Sequence, residues 1–146
     1  MNTHPIRNGW KDMKVRLSTL WLFAMLNYLY ADVMTLMDPE ELKVIMSGGV
    51  GPIQISQGFL LGAAILMETA IAMVLLSRFL KYRINRWANI IAGLIHTLAV
   101  FMSMFVGDTP ALYYLFFGTI EIGCTLLIIW YAVRWPKIEQ RIVSEK

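Results

Sequence analysis

The chain has 146 residues, 58% hydrophobic and only 16% charged, with a net charge of +3 and a mean hydropathy of +0.57. Soluble domains are about 45–50% apolar and about 25% charged, so the composition argues against a soluble fold and points to a membrane protein. The positive charges lie in short segments beside apolar stretches, where they set topology; this speaks against a nucleic-acid partner.

Residues 1–16 are polar and basic, and Pro5 and Gly9 argue against an early helix. A first apolar span is expected over 17–37, closed by Asp38-Pro39. It is too long for the apolar region of a cleavable signal peptide and no small-residue cleavage site follows, so it is expected to stay as a helix. The segment from Pro39 to Met46 has early acidic residues and an apolar 3–4 rhythm, which predicts a short interfacial helix. Ser47–Pro52 then reads as a flexible turn. A second span is expected over 54–79, followed by a tight basic turn with Arg78, Lys81, Arg83 and Arg86. A third is expected over 87–106, a turn at Gly107–Pro110, and a fourth span over 111–135 before a charged tail.

Lys and Arg count four, one, four, none and four over the successive non-apolar segments. This alternation predicts cytoplasmic termini and an up-down-up-down four-helix bundle, a single multi-pass transmembrane domain in a cell inner membrane. Trp10, Trp87, Trp130, Tyr131 and Trp135 fall near the cytoplasmic ends, where an aromatic belt would place them. The lone cysteine, Cys124, lies within the fourth span and reads as a buried structural residue.

Each span carries a polar residue near half depth: Asn27, Glu68, His96 and Glu121. Ionisable groups at that depth are costly and usually face a bundle interior, so Glu68, His96 and Glu121 are expected to converge on one pocket. Asn27 should border it from the first helix, although a structural hydrogen bond explains that residue as well. Asn89 and His96 share one face of the third helix, and Gln57 and Glu68 one face of the second. Ala64, Glu68 and Ala72 make a small–polar–small row that permits close helix approach. Gly118, Glu121 and Cys124 lie together on the fourth helix. Tyr28 and Asp32 occupy another stripe of the first, with Asp32 nearer the outer mouth. Two carboxyls and an imidazole can relay protons, hold a ligand or work as acid and base. Neither glutamate has a histidine three residues later, as bundle di-metal sites do, so no metal site is assigned.

The order of features resembles the DoxX-like group of small four-helix bacterial membrane proteins: Asp38-Pro39, the segment 48–52 with its glycines and Pro52, Glu68 in the second helix, and a basic residue, Arg78, ten further on. The group's glycine-rich run after the glutamate is replaced here by Thr69-Ala70-Ile71-Ala72. The resemblance implies the four-helix fold and a link to quinone-coupled or other redox partners, without a defined activity. Three functions stay open at this point. The first is an intramembrane pocket for a proton-linked or lipophilic small ligand, such as a quinone. The second is an accessory subunit packed on a membrane protein partner or in a homo-oligomer. The third is an enzyme using Glu68 and His96 as acid and base. A small multidrug transporter fits less well, because its essential glutamate belongs to the first helix, which here offers Asn27 and Asp32.

Overall fold

A computed structural model describes residues 4–50, 53–106 and 110–135, with side chains from residue 12 onward. The described chain is helical apart from one short strand pair. Helix α1 spans His4–Met37, α2 Pro39–Met46, α3 Gln57–Phe79, α4 Tyr82–Ser103 and α5 Leu112–Arg134. Strands β1, Gly49–Val50, and β2, Ile53–Gln54, pair antiparallel between α2 and α3, where the sequence suggested only a flexible turn. Gly48, at φ +90°, supplies the left-handed residue that turns the chain from α2 into β1.

Helix α1 begins thirteen residues before the expected apolar span, at His4 rather than 17. Pro5 stands in the first turn, where a missing N–H costs nothing, and one interior glycine costs about 1 kcal/mol, which a long helix absorbs. Helix α2 forms where its acidic start predicted it. Asp38 caps it by accepting a hydrogen bond from the Glu40 N–H at 3.0 Å, and Pro39 occupies the first helical position. Ser56 caps α3 through the Phe59 N–H, so that helix starts at Gln57 and not at 54. Helix α4 starts at Tyr82, five residues before the expected boundary. Only Leu80 and Lys81 are extended between α3 and α4. Arg83 and Arg86, read in the sequence as turn residues, therefore belong to the first turns of α4.

Helix α1 packs against both α3 and α5, α4 packs along α5, and α3 meets α4 over a shorter seam. Side-chain bonds give the directions. Lys14 of α1 bonds the Leu80 carbonyl after α3 and Ser18, one turn on, the Val74 carbonyl, so α1 and α3 run antiparallel, and Cys124 of α5 bonds the Leu20 carbonyl. Thr97 meets Thr125, and Tyr114 meets Ser103, so α4 and α5 also run antiparallel. The core is built from Leu17, Trp21, Ala24 and Tyr28 of α1, with Ala70, Met73, Cys124 and Ile128 around them. These α1 positions repeat every three to four residues, the spacing of one helical face.

Three segments are long and apolar enough to cross a membrane: Asp12–Met37, Gln57–Phe79 and Leu112–Arg134. Helix α4 has 22 residues but carries Arg83, Asn85, Arg86, Asn89 and His96, and it is not among them. The aromatic-belt expectation needs one correction. Trp135 is buried, edge-on to Tyr82 at 5.3 Å, with the Tyr82 hydroxyl donating to its carbonyl at 2.9 Å. Packing between α4 and α5 claims that indole, whereas Trp87 and Trp130 do face outward. The Trp10 side chain lies outside the described residues.

Helices α4 and α5 approach closely at Gly93. A Cβ there would stand 2.7 Å from Ile129 Cγ1 and 3.5 Å from the Thr125 carbonyl oxygen. Thr97 seals the same contact by donating to the Gly93 carbonyl at 2.7 Å and meeting the Thr125 hydroxyl at 2.8 Å. Small residues that admit a neighbouring backbone are the usual device for apposing helices in lipid. Gly93→Val should therefore destabilise the fold by about 1–3 kcal/mol through overpacking. Gly123→Ala, where a Cβ meets nothing within 4 Å, should be neutral or mildly stabilising. Thermal unfolding of the two variants in one detergent would read the difference.

Candidate functional site

Two polar layers cross the packed helices, and they differ in whether their hydrogen bonds are complete. The first lies toward the basic end. Asn89 of α4 accepts from Trp21 Nε1 of α1 at 2.8 Å and from the Ser77 hydroxyl of α3 at 3.2 Å. Its amide nitrogen donates to Asn85 Oδ1 at 2.7 Å and to the Asn85 carbonyl at 2.8 Å. Asn85 in turn donates to the Ser77 carbonyl at 2.6 Å. Ser18 donates to the Val74 carbonyl and accepts from Arg78 Nε at 3.0 Å, while Lys14 Nζ reaches the Leu80 carbonyl at 2.8 Å. Asn85, Asn89 and Ser77 are wholly buried. Every group in this layer has a use, so its role is to fix α1, α3 and α4 in register.

The second layer is deeper along α4, and it is incomplete. His96 is 2% exposed and lies between two aromatic rings of α1. Trp21 meets it edge-on at 5.3 Å, and Tyr28 stacks on it at 5.4 Å with 20° between planes. Glu121 of α5 is buried too, one turn before Thr125, whose hydroxyl accepts from Thr97, the residue after His96. Three buried polar atoms in this layer lack any hydrogen-bond partner: Tyr28 Oη, His96 Nε2 and Glu121 Oε1. Buried polar atoms are rarely left unpaired, because each costs about 1–3 kcal/mol. Three such atoms from three helices make this layer the candidate site.

The remaining sequence candidates fall on either side of it. Glu68 does not join the pocket. It is exposed, whereas the inward face of α3 presents Ala70, Met73 and Ser77. Glu68 precedes Ala70 by two residues, about 200° around the helix, so α3 can bury one or the other but not both. The expected meeting of Glu68 with His96 and Glu121 is thus not made, whereas Tyr28 stacks on His96. Asn27 is buried but donates to the Phe23 carbonyl of its own helix at 2.8 Å, a local structural bond. Asp32 is exposed one turn beyond Tyr28. Asn89 belongs to the satisfied layer. Cys124 is buried and donates to the Leu20 carbonyl. Among the described residues, no three His, Cys, Asp or Glu side chains gather as metal ligands.

Asn85, Ser77, Ser18 and Trp21 were not singled out by sequence. Asn85 had a signal: Asn85, Asn89 and His96 repeat at intervals of four and seven along one face of α4. It was obscured because the basic cluster placed Asn85 before the start of the span.

The two layers should respond differently to substitution. Asn89→Leu leaves Trp21 Nε1, Ser77 Oγ and the Asn85 carboxamide short of partners, and should destabilise the chain by about 2–4 kcal/mol. Glu121→Gln keeps the shape and removes no bond made by the carboxyl oxygen Oε1, so the loss should stay below about 1 kcal/mol. Unfolding by a graded denaturant in mixed micelles would separate the two.

The chain belongs to DUF6326, a family of unknown function whose model matches residues 7–141. The matching model is not a DoxX-like one. No curated protein and no solved structure matches significantly.

Proposed function

We propose that all four long helices cross an inner membrane, with both termini cytoplasmic, and that Tyr28, His96 and Glu121 form an intramembrane site for a small lipophilic or proton-linked ligand. The observation that carries this reading is the set of three buried, unpartnered polar atoms on α1, α4 and α5. The α4 crossing is supported by the direction of its polar groups. Asn85, Asn89 and His96 are all buried against the other helices, so the surface α4 offers to lipid is apolar, with Ile91, Leu94, Ile95 and Leu98 exposed. The orientation is supported by the gathering of Lys14, Arg16, Arg78, Lys81, Arg83 and Arg86 at the start of α1 and around the α3–α4 turn. The architectural likeness to DoxX-like proteins is compatible with this arrangement.

The chemistry of the ligand follows from the donors and acceptors left over. His96 Nε2 is one of the unpartnered atoms, and an imidazole nitrogen offers a ligand either a lone pair or an N–H. The Tyr28 hydroxyl can donate, and the Glu121 carboxyl can accept, or donate when protonated. A bilayer-soluble molecule with a hydroxyl or carbonyl on an apolar body would complete all three and pass a proton between them. Asp32, one turn nearer the end of α1, offers a carboxylate between this layer and the surface. The shorter seam between α3 and α4 is the natural side for entry from lipid.

Native mass spectrometry of the chain released from lipid nanodiscs tests this. The wild-type protein should retain a small lipophilic species that Glu121→Leu and His96→Leu each lose, while both variants stay folded. Identical spectra, with no bound small molecule in any of the three, would contradict the site.

A further inference from the structure

The row that the ligand site leaves unused lies on the outside of α3. Glu68 is the central residue of this helix, which runs from Gln57 to Phe79. Positions Gln57, Leu61, Ala64, Glu68, Ile71 and Leu75 follow one another at alternating spacings of four and three. That is the a/d repeat of a seam on which a second helix packs. All six are exposed, although the same spacing on α1 marks its buried face. Of the three segments able to cross a membrane, α3 is the most apolar and the least covered by the rest of the chain. Its one carboxyl therefore stands at half depth, facing outward, flanked by Ala64 and Ala72, which leave room for a close neighbour.

We infer that this face of α3 is the interface of a symmetric homodimer in which the Glu68 carboxyls of the two copies pair. The inference rests on the reading that α3 crosses the bilayer. A two-fold axis through a parallel seam sets each a or d residue against its own counterpart. Gln57 then meets Gln57, and two amides are mutually complementary donors and acceptors. Ala64 meets Ala64, which brings the backbones close. Glu68 meets Glu68, and one proton held between them lets a protonated carboxyl donate to a carboxylate. The seam contains no Lys or Arg, so a second copy offers Glu68 no cation, and the carboxyl pair is the self-complementary solution. A polar residue in such a seam also fixes register, because sliding the helices by one turn sets each carboxyl against an alkyl side chain.

Cysteine cross-linking of the full chain in native membranes tests the dimer, in a Cys124→Ser background and with a membrane-permeant oxidant. Leu61→Cys and Leu75→Cys should give covalent dimers, and Leu127→Cys, outward on α5, should not. Adding Ala64→Phe should abolish the Leu75→Cys product by separating the helices. Adding Glu68→Leu should weaken association about tenfold, the worth of one strong interhelical hydrogen bond, and Glu68→Gln should preserve it. A membrane-resident chain whose seam cysteines link no more than Leu127→Cys would overturn the dimer alone. Unchanged linking in the Glu68→Leu chain would overturn the carboxyl pair. Release of the chain from membranes by alkaline wash would overturn the membrane reading and the dimer together.

Discussion

A polar side chain has nowhere to turn inside a bilayer except toward another polar group. The same need for a polar partner holds between packed helices, and it organises the interior of this chain. A charged residue at the centre of a lipid-facing helix costs about 2.5–3.5 kcal/mol on insertion scales, and an unpaired buried polar atom about 1–3 kcal/mol. Helix α4 carries Asn85, Asn89 and His96 on one buried face. Asn89 then becomes the junction of three helices, since it holds Trp21 of α1 and Ser77 of α3 together. With Trp21 fixed by that bond, its ring stands edge-on to His96 one layer away. The satisfied layer thereby positions the unsatisfied one.

The contrast between the layers is what gives the second its meaning. Both are buried and both join three helices. In the first, short hydrogen bonds use each donor and acceptor, the state expected of a structural network. In the second, Tyr28, His96 and Glu121 each keep one polar atom unused, although Thr125, next to them on α5, bonds both its own backbone and Thr97. The chain thus supplies partners in one layer and leaves three buried polar atoms unpartnered in the other.

Much of this was legible in the sequence, and the failures have specific causes. The helical content, the short α2 helix and the three apolar segments follow from hydropathy and helix signals, which depend on local composition. Glu68 was misplaced because depth does not determine direction. A residue at half depth can face inward or outward, and only the position of Ala70, Met73 and Ser77 against α1 and α4 decides which. Its neighbour Ala64, read with Ala72 as a surface for close helix approach, is exposed as Glu68 is. Tyr28 was assigned to a separate stripe from Asn27, and the structure prefers that stripe: Asn27 bonds its own helix while Tyr28 stacks on His96. The start of α4 was missed because Arg83 and Arg86 have the composition of a loop. They lie at the end of a helix, where Arg86 reaches the Val133 carbonyl of α5 at 3.0 Å.

The central claim is that the layer of Tyr28, His96 and Glu121 is completed by something other than protein. A high-resolution density map of the chain in lipid nanodiscs tests it most directly. Density for a bound molecule within hydrogen-bonding distance of Tyr28 Oη, His96 Nε2 and Glu121 Oε1, joined to an apolar body, is the result this account predicts. Direct bonds among the three side chains, or a single water satisfying all of them in a closed contact, would contradict it.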